Sequence, residues 1–206
     1  GIVTAANGMI VKSGDAAPGT PMPLSEYVKR GYKYCYIGDN TIAKGKNWYI
    51  DFDGTLYLIG PVENTSTNED KTPWKEYKSQ IKSVVAEEWA KVSNCARLFS
   101  NCENFESVDL QRLSVNGMTD MQYMFSGCSK LESVDLSNIE TKLVTNMRCM
   151  FYNATALKSV KFSSFIDTTA VTDMRYMFRN CSSLESLDLS RFKTPNLKEI
   201  NTIFYA

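Results

Sequence analysis

Histidine is absent from the 206-residue chain. Its absence excludes the nucleophile systems that pair serine or cysteine with histidine, and every metal site with a histidine ligand. The commonest general base near neutral pH is missing too, which disfavours an enzyme. The chain also lacks an excess of either charge, because 23 Lys and Arg residues balance 23 Asp and Glu residues. That balance disfavours nucleic acid and anionic membranes as main partners, since both attract basic proteins.

Long apolar runs are missing as well, and no stretch of 18 apolar residues predicts a transmembrane segment. The chain begins with Gly1, and no charged-then-apolar leader follows. We therefore expect a mature or trimmed form whose targeting signal has been removed. Apolar residues still make up 43% of the chain, so it can bury a core, and 206 residues are enough for one domain or for a domain plus a small appendage.

The second half of the chain is an internal repeat. Phenylalanines recur at spacings of 26, 26, 27 and 26 residues, at Phe99, Phe125, Phe151, Phe178 and Phe204. We place the one extra residue in the stretch FIDTTAV. Each unit contains an L-x-S-V-D-L pattern, then one apolar residue, which is Leu113, Ile139, Phe165 or Phe192. A stretch such as VTDMRYMF follows, and these matched columns are the mark of a repeat architecture.

The two halves of each unit predict different elements. L-x-S-V-D-L predicts a short strand, in five rungs at 81–86, 105–110, 131–136, 157–162 and 184–189. In VTDMRYMF the apolar residues follow a helical spacing, and Thr172 is a candidate N-cap. Strand, turn and helix within 26 residues fit the leucine-rich-repeat period, and stacking buries a continuous core. We therefore predict an α/β solenoid, a short leucine-rich-repeat stack of parallel strands and short helices.

The stretch NWYIDFDGTLYLIG, residues 47–60, allows two interpretations. Its DxDGT sequence resembles the nucleophile motif of haloacid-dehalogenase-like phosphatases, which would make Asp51 the nucleophile and Asp53 the general acid and base. The same residues also predict a β-hairpin that turns at Asp53-Gly54. The hairpin is favoured, because residues from 81 onward belong to repeats and leave no room for a phosphatase scaffold. We divide the chain into a partly mobile lead-in (1–45), a β-hairpin cap (46–80) and a leucine-rich-repeat solenoid (81–206).

The repeats MFSGCSKLESVDLSNIET and MFRNCSSLESLDLSRFKT resemble those of BspA-like leucine-rich-repeat proteins, mostly surface or secreted proteins of bacteria. The resemblance is close over about 92–206. Before the repeats, the cap stretch with its DFDGT sequence, a Pro-Trp pair and IKSVV also resemble that family. The resemblance implies binding or adhesion at the bacterial cell surface or outside the cell, with no catalytic residues.

Cysteine and methionine occupy repeat columns in which other apolar residues substitute. One column reads Cys95, Met121, Met147, Met174, Ile200, and another reads Cys102, Cys128, Ala154, Cys181. Because neither isoleucine nor alanine binds a metal, we interpret both as packing columns and predict no metal or cofactor. We expect mostly free thiols among the six cysteines. Asn153 and Asn180 belong to the repeat turn, where asparagine serves backbone geometry.

The exposed side of the strands carries the candidate binding residues, because side chains flanking the central apolar residue point outward. The predicted face consists of Ser107, Asp109, Ser133, Asp135, Lys158, Ser159, Lys161, Ser186 and Asp188. Lys158 and Lys161 interrupt otherwise acidic columns. Two interpretations remain open: the lysines relieve a stack of like charges, or they form the centre of a recognition face. Calcium on the aspartates is disfavoured, since no ligand set resembles an oxygen cage.

We predict a non-catalytic extracellular binding or adhesion module with a protein or glycan ligand. The alternatives are a structural spacer in a surface array and a phosphatase that uses DFDGT. Residues 197–206 are predicted to form a helical lid on the last rung, with weak self-association through the edge that it leaves open.

Overall fold

The computed structural model describes residues 41–198 and 202–204 in full, and the backbone alone of residues 2–4, 9–12 and 33–36. These last three stretches form an antiparallel sheet of β1 (Ile2–Thr4), β2 (Met9–Lys12) and β3 (Lys33–Tyr36). The rest of the predicted lead-in up to residue 40 lies outside the described residues.

A β-hairpin forms the cap, as predicted. Strands β4 (Thr41–Gly45), β5 (Trp48–Asp51) and β6 (Thr55–Leu58) pair antiparallel in chain order. The β5–β6 turn is closed by the Gly54 N–H, which donates to the Asp51 carbonyl at 3.0 Å. Gly54 has a φ of 85°, and a Cβ there would lie 2.5 Å from the Gln80 carbonyl oxygen. Only glycine fits this turn.

The cap strand is itself a rung of the solenoid. β6 pairs in parallel with β8 (Ser83–Ala86), which pairs with β10 (Ser107–Asp109). A second parallel sheet continues the stack with β11 (Ser133–Leu136), β12 (Ser159–Phe162) and β13 (Ser186–Leu187). The short strands β7 (Pro61–Val62) and β9 (Lys91–Val92) pair in parallel and form a separate two-stranded sheet. The fold is therefore a β-solenoid of about five turns.

The helical part of the α/β solenoid prediction is wrong. Within 41–198 and 202–204, the 3-10 helix Lys75–Gln80 is the one helical element. The stretch that follows Val171 consists of consecutive tight turns, in which Tyr176 and Asn180 have φ values of 59° and 60°. A right-handed helix cannot contain such residues. Thr172 is not an N-cap, because its hydroxyl donates to the Thr145 carbonyl at 3.2 Å.

Alternate amides in these turns have different partners. The Met177 N–H closes a turn on the Met174 carbonyl at 3.2 Å, whereas the Tyr176 N–H donates to the next turn of the solenoid, at the Thr202 carbonyl. Left-handed residues recur at equivalent positions in each unit: Arg97, Tyr123, Cys149 and Tyr176, and four residues later Asn101, Gly127, Asn153 and Asn180. The backbone role predicted for Asn153 and Asn180 is confirmed.

The apolar positions were predicted correctly, although their conformation was not. Val171, Met174, Met177 and Phe178 are all buried, because a series of tight turns also directs every third or fourth side chain inward. The repeat phenylalanines stack along the solenoid axis with ring centroids 5.3–5.6 Å apart, in the order Phe99, Phe125, Phe151, Phe178, Phe204. Trp74 continues this stack into the cap, with its centroid 6.4 Å from that of Phe99.

The extra residue of the fourth repeat lies earlier than predicted. Ile166 takes the position equivalent to Ile139, since its N–H closes a turn on the Ser163 carbonyl just as the Ile139 N–H closes one on the Leu136 carbonyl, both at 3.1 Å. The chain absorbs the additional residue directly after β12. Phe165 therefore takes an exposed turn position and is 92% exposed, so its place in the apolar column with Leu113, Ile139 and Phe192 was predicted wrongly.

Five cysteines fall among the fully described residues, and all five are free thiols, as expected. Burial raises the pKa of Cys102 to about 12 and that of Cys181 to about 11. The described part of the predicted lid is not helical: residues 202–204 form a turn in which Ile203 is buried. The predicted self-association stays a prediction.

Candidate functional site

The predicted binding residues line up on the open side of the parallel strands. Ser83 is opposite Ser107, and Ser159 lies between Ser133 and Ser186. Serine therefore forms one column, and a second column contains Asp109, Asp135, Lys161 and Asp188. The two sheets meet where β10 and β11 lie side by side. The structure thus brings all nine predicted residues onto one surface, here called the strand face.

Both lysines of the fourth rung pair with acids of the third rung. Lys158 Nζ lies 2.7 Å from a Glu132 carboxylate oxygen, and Lys161 Nζ lies 2.8 Å from Asp135 Oδ2. The Lys161 ammonium, aided by Ser137, lowers the pKa of Asp135 to about 2. The Glu132 carboxylate raises the pKa of Lys158. This pairing is what the charge-relief interpretation predicts, while the recognition role of the lysines stays a prediction.

The aspartates of the strand face also have a structural task. Asp135 Oδ1 accepts the Ser137 N–H at 2.9 Å, and Asp188 Oδ1 accepts the Ser190 N–H at the same distance. Hydrogen bonds from Ser190 lower the pKa of Asp188. Each aspartate thus initiates the turn that leaves its strand, a role that the sequence analysis missed. The Asp-x-Ser spacing carries that signal, because aspartate commonly accepts an amide two residues on.

A groove of about 910 Å³ opens at the end of β12 and β13. Three predicted site residues line it, namely Lys161, Ser186 and Asp188. Phe165 and Arg191 also line it, and neither is among the predicted site residues. The groove thus combines three residues of the strand face with the turn that carries the insertion.

The inserted turn beside the groove is held in place by polar contacts. Ser163 Oγ accepts the Phe165 N–H at 3.1 Å, and Arg191 Nη1 donates to the Ser164 carbonyl at 3.2 Å. Beneath it, Phe162 packs edge-on against Phe192, with ring centroids 5.0 Å apart. The wall of the groove is thus a braced turn on an aromatic base.

The DFDGT sequence forms the hairpin turn. Asp51 is 8% exposed, and its Oδ1 accepts the Thr55 N–H at 2.9 Å, so this carboxylate acts inside the turn. Burial raises the pKa of Asp51. Asp53 is exposed at the tip. The absence of enzymatic activity stays a prediction, but the geometry gives Asp51 a structural role.

A second polar column runs along the tight turns. Asn94, Asp120, Asn146 and Asp173 each accept the N–H two residues on, at 2.8–3.0 Å. Amide and acid alternate along this column, which avoids a stack of like charges. The guanidinium of Arg97 lies 4.2 Å from the centre of the Tyr123 ring on the same side. The four backbone contacts close their own turns, and the Arg97–Tyr123 contact joins two successive turns.

Among the described residues, no group of three or more Cys, Asp or Glu is arranged to hold a metal ion. No helix in the described parts of the chain has the length and hydropathy needed to cross a membrane.

The profile of a family described as "Mycoplasma protein of unknown function, DUF285" matches residues 71–165 and 158–206. Together the two matches cover more than half of the chain and include all five predicted rungs. No curated protein and no solved structure matches the chain. The specific resemblance to BspA-like proteins stays a prediction.

Proposed function

The chain belongs to the family described as Mycoplasma protein of unknown function, DUF285, and we propose that it is a non-catalytic binding module. Its ligand would be a protein or a glycan that contacts the strand face. The observation that carries this proposal is the in-register alignment of exposed polar side chains on the parallel strands. The phenylalanine stack beneath them is continuous, so the side chains are held at fixed positions.

A regular polar surface of this kind suits recognition. Parallel strands lie about 4.8 Å apart, so serines, acids and lysines repeat at short, constant intervals. Solenoids commonly use such extended faces for binding. The ion pairs of Lys158 and Lys161 are solvent-exposed and add little to stability. Charged groups that stabilise little and are held in defined positions are suited to contacting a ligand.

We propose an extracellular location on a bacterial cell surface, with leucine-rich repeats of the BspA type. The support is the resemblance of the repeats, with their Met-Phe pair and Asp-Leu-Ser stretch. Free thiols are unusual outside the cell. Here, however, burial raises the pKa of Cys102 to about 12, so the reactive thiolate is scarce. Such thiols are compatible with an oxidising environment.

The test is binding of the purified chain to immobilised extracellular matrix proteins and to a glycan array. The double variant Lys158→Ala/Lys161→Ala should reduce binding at least tenfold if the strand face holds the ligand. A matched control is Lys75→Ala/Lys91→Ala, which removes two exposed lysines away from the strand face. Equal binding by both double variants would contradict the proposal. Failure of the unmodified chain to bind either class would favour the structural spacer.

A further inference from the structure

The fourth repeat departs from the others at one point, and that departure creates an exposed aromatic ring. The extra residue after β12 gives half-buried Ile166 the position equivalent to Ile139 and places Phe165 in the turn. The position equivalent to Phe165 in the preceding rung is Asn138, a polar residue. Phe165 is 92% exposed, the most exposed of the large apolar side chains in the described residues. Its ring does not contribute to the core.

The surroundings of Phe165 supply both donors and acceptors of hydrogen bonds. Lys161 and Arg191 line the groove as donors, and Asp188 lines it as an acceptor. Asp188 accepts the Ser190 N–H at Oδ1 and a further hydrogen bond from the Ser190 side chain. An ionised carboxylate has about four acceptor positions, so Asp188 can accept from a ligand as well. The hydroxyls of Ser163 and Ser186 can each donate or accept a hydrogen bond. One apolar ring beside mixed donors and acceptors is complementary to a ligand that has hydroxyl groups and an apolar C–H face.

The charges around the groove favour an uncharged ligand. Lys161 is already paired with Asp135, and Arg191 already donates to the Ser164 carbonyl. Asp188 adds a negative charge of its own. The groove therefore has no uncompensated cationic cluster that would attract a phosphate or a carboxylate. Its volume of about 910 Å³ is within the range of small-ligand sites.

We propose that this groove binds an uncharged glycan, with one sugar ring stacked on Phe165 and its hydroxyl groups bonded to Asp188, Arg191 and Ser186. The inference rests on the proposed binding function and names the ligand class and the position on the strand face. The aromatic ring provides the apolar contact, and the braced turn holds the backbone that carries the ring in place before the ligand arrives, which lowers the entropic cost of binding.

The experiment compares the full chain and four variants on an array of neutral oligosaccharides built from glucose, galactose, mannose and N-acetylglucosamine. The oligosaccharides that bind are then titrated by calorimetry. Phe165→Ala and Asp188→Asn should each weaken binding at least tenfold, while Phe165→Tyr should retain it. Trp89→Ala is the matched control, because Trp89 is an exposed aromatic residue that does not line the groove. Phe165→Ala should leave the melting temperature unchanged, since the ring is exposed.

A second arm presents matrix glycoproteins before and after enzymatic removal of their glycans. Binding that disappears with the glycans supports the inference for a glycoprotein source, and binding to free oligosaccharides supports it for a polysaccharide. Binding that survives deglycosylation, without any oligosaccharide signal, would overturn the glycan inference and leave the proposed binding function intact. Binding to neither class would overturn both. Equal affinity of Phe165→Ala and the unmodified chain would also overturn the inference.

Discussion

The phenylalanine stack gives the sharpest test of the fold, because the same substitution can be made at three very different positions. Phe151 is fully buried in the middle of the solenoid and stacks on two rings, with centroid distances of 5.5 Å to Phe125 and 5.3 Å to Phe178. Phe151→Ala should cost about 3–5 kcal/mol of unfolding free energy, since it removes a large buried side chain and leaves a cavity.

Phe204 is 56% exposed and stacks on one ring only, that of Phe178, at 5.6 Å. Partial burial and one aromatic pair together amount to about 1–2 kcal/mol for Phe204→Ala. Phe165→Ala, at the exposed turn, should change stability by less than about 0.5 kcal/mol. Urea denaturation followed by circular dichroism measures all three, and the slope of the transition shows whether cooperativity is kept. Similar losses at Phe151 and Phe204 would refute the stacked arrangement.

Three further predictions concern the turns and the charges. Asn153→Ala should lower stability by about 1 kcal/mol in thermal unfolding, whereas Asn153→Gly should not, because φ is 59°. Lys78→Ala should cost about 3 kcal/mol in urea denaturation, since it leaves Asp70 without its buried ammonium partner; a loss below about 1 kcal/mol would contradict that role. Lys161→Met should cost only up to about 1 kcal/mol at pH 6, because the ion pair is exposed, and less at pH 2, since the depressed pKa of Asp135, about 2, gives stability that is lost as pH falls through about 4 to 2.

The strands and the core were predictable from the sequence, because both depend on side-chain periodicity. L-x-S-V-D-L alternates on a pleated strand, and the observed register places the serine column as expected. The hairpin at Asp53-Gly54 was predictable for a different reason, since glycine at a positive φ is a local requirement. Such signals do not depend on the rest of the chain.

The helices were predicted wrongly because the same apolar spacing is compatible with two conformations. Met174, Met177 and Phe178 point inward from a helix and equally from consecutive tight turns. The residue that decides between them is Tyr176, whose φ of 59° is uncommon for a bulky side chain. Its conformation depends on the amide-to-carbonyl bond to Thr202 in the next turn. Tyr176 and Thr202 are far apart in the sequence, so a pattern of eight residues cannot predict this contact.

The candidate site likewise has a part that was predictable from the sequence and a part that was not. The columns of the strand face follow from the repeat, so Asp135 and Lys161 were assigned to neighbouring rungs correctly. Phe165 was not predicted as a site residue. The repeat period shows that the fourth repeat has one extra residue, but it does not show which side chain the insertion leaves exposed. Placement depends on whether isoleucine or phenylalanine takes the position equivalent to Ile139. The structure answers this through the backbone bonds of the turn.

A perfectly regular solenoid would offer a ligand the same contacts at every rung, so it would have no preferred binding position. Two departures break that regularity here, and both lie in the fourth repeat. One is the pair of lysines at positions that are acidic in rungs two, three and five, and the other is the extra residue that exposes Phe165. The lysine pair changes the charge of the face, and the insertion changes its shape. Because the two changes are chemically independent and both Lys161 and Phe165 line the same groove, that repeat is where selective binding is expected.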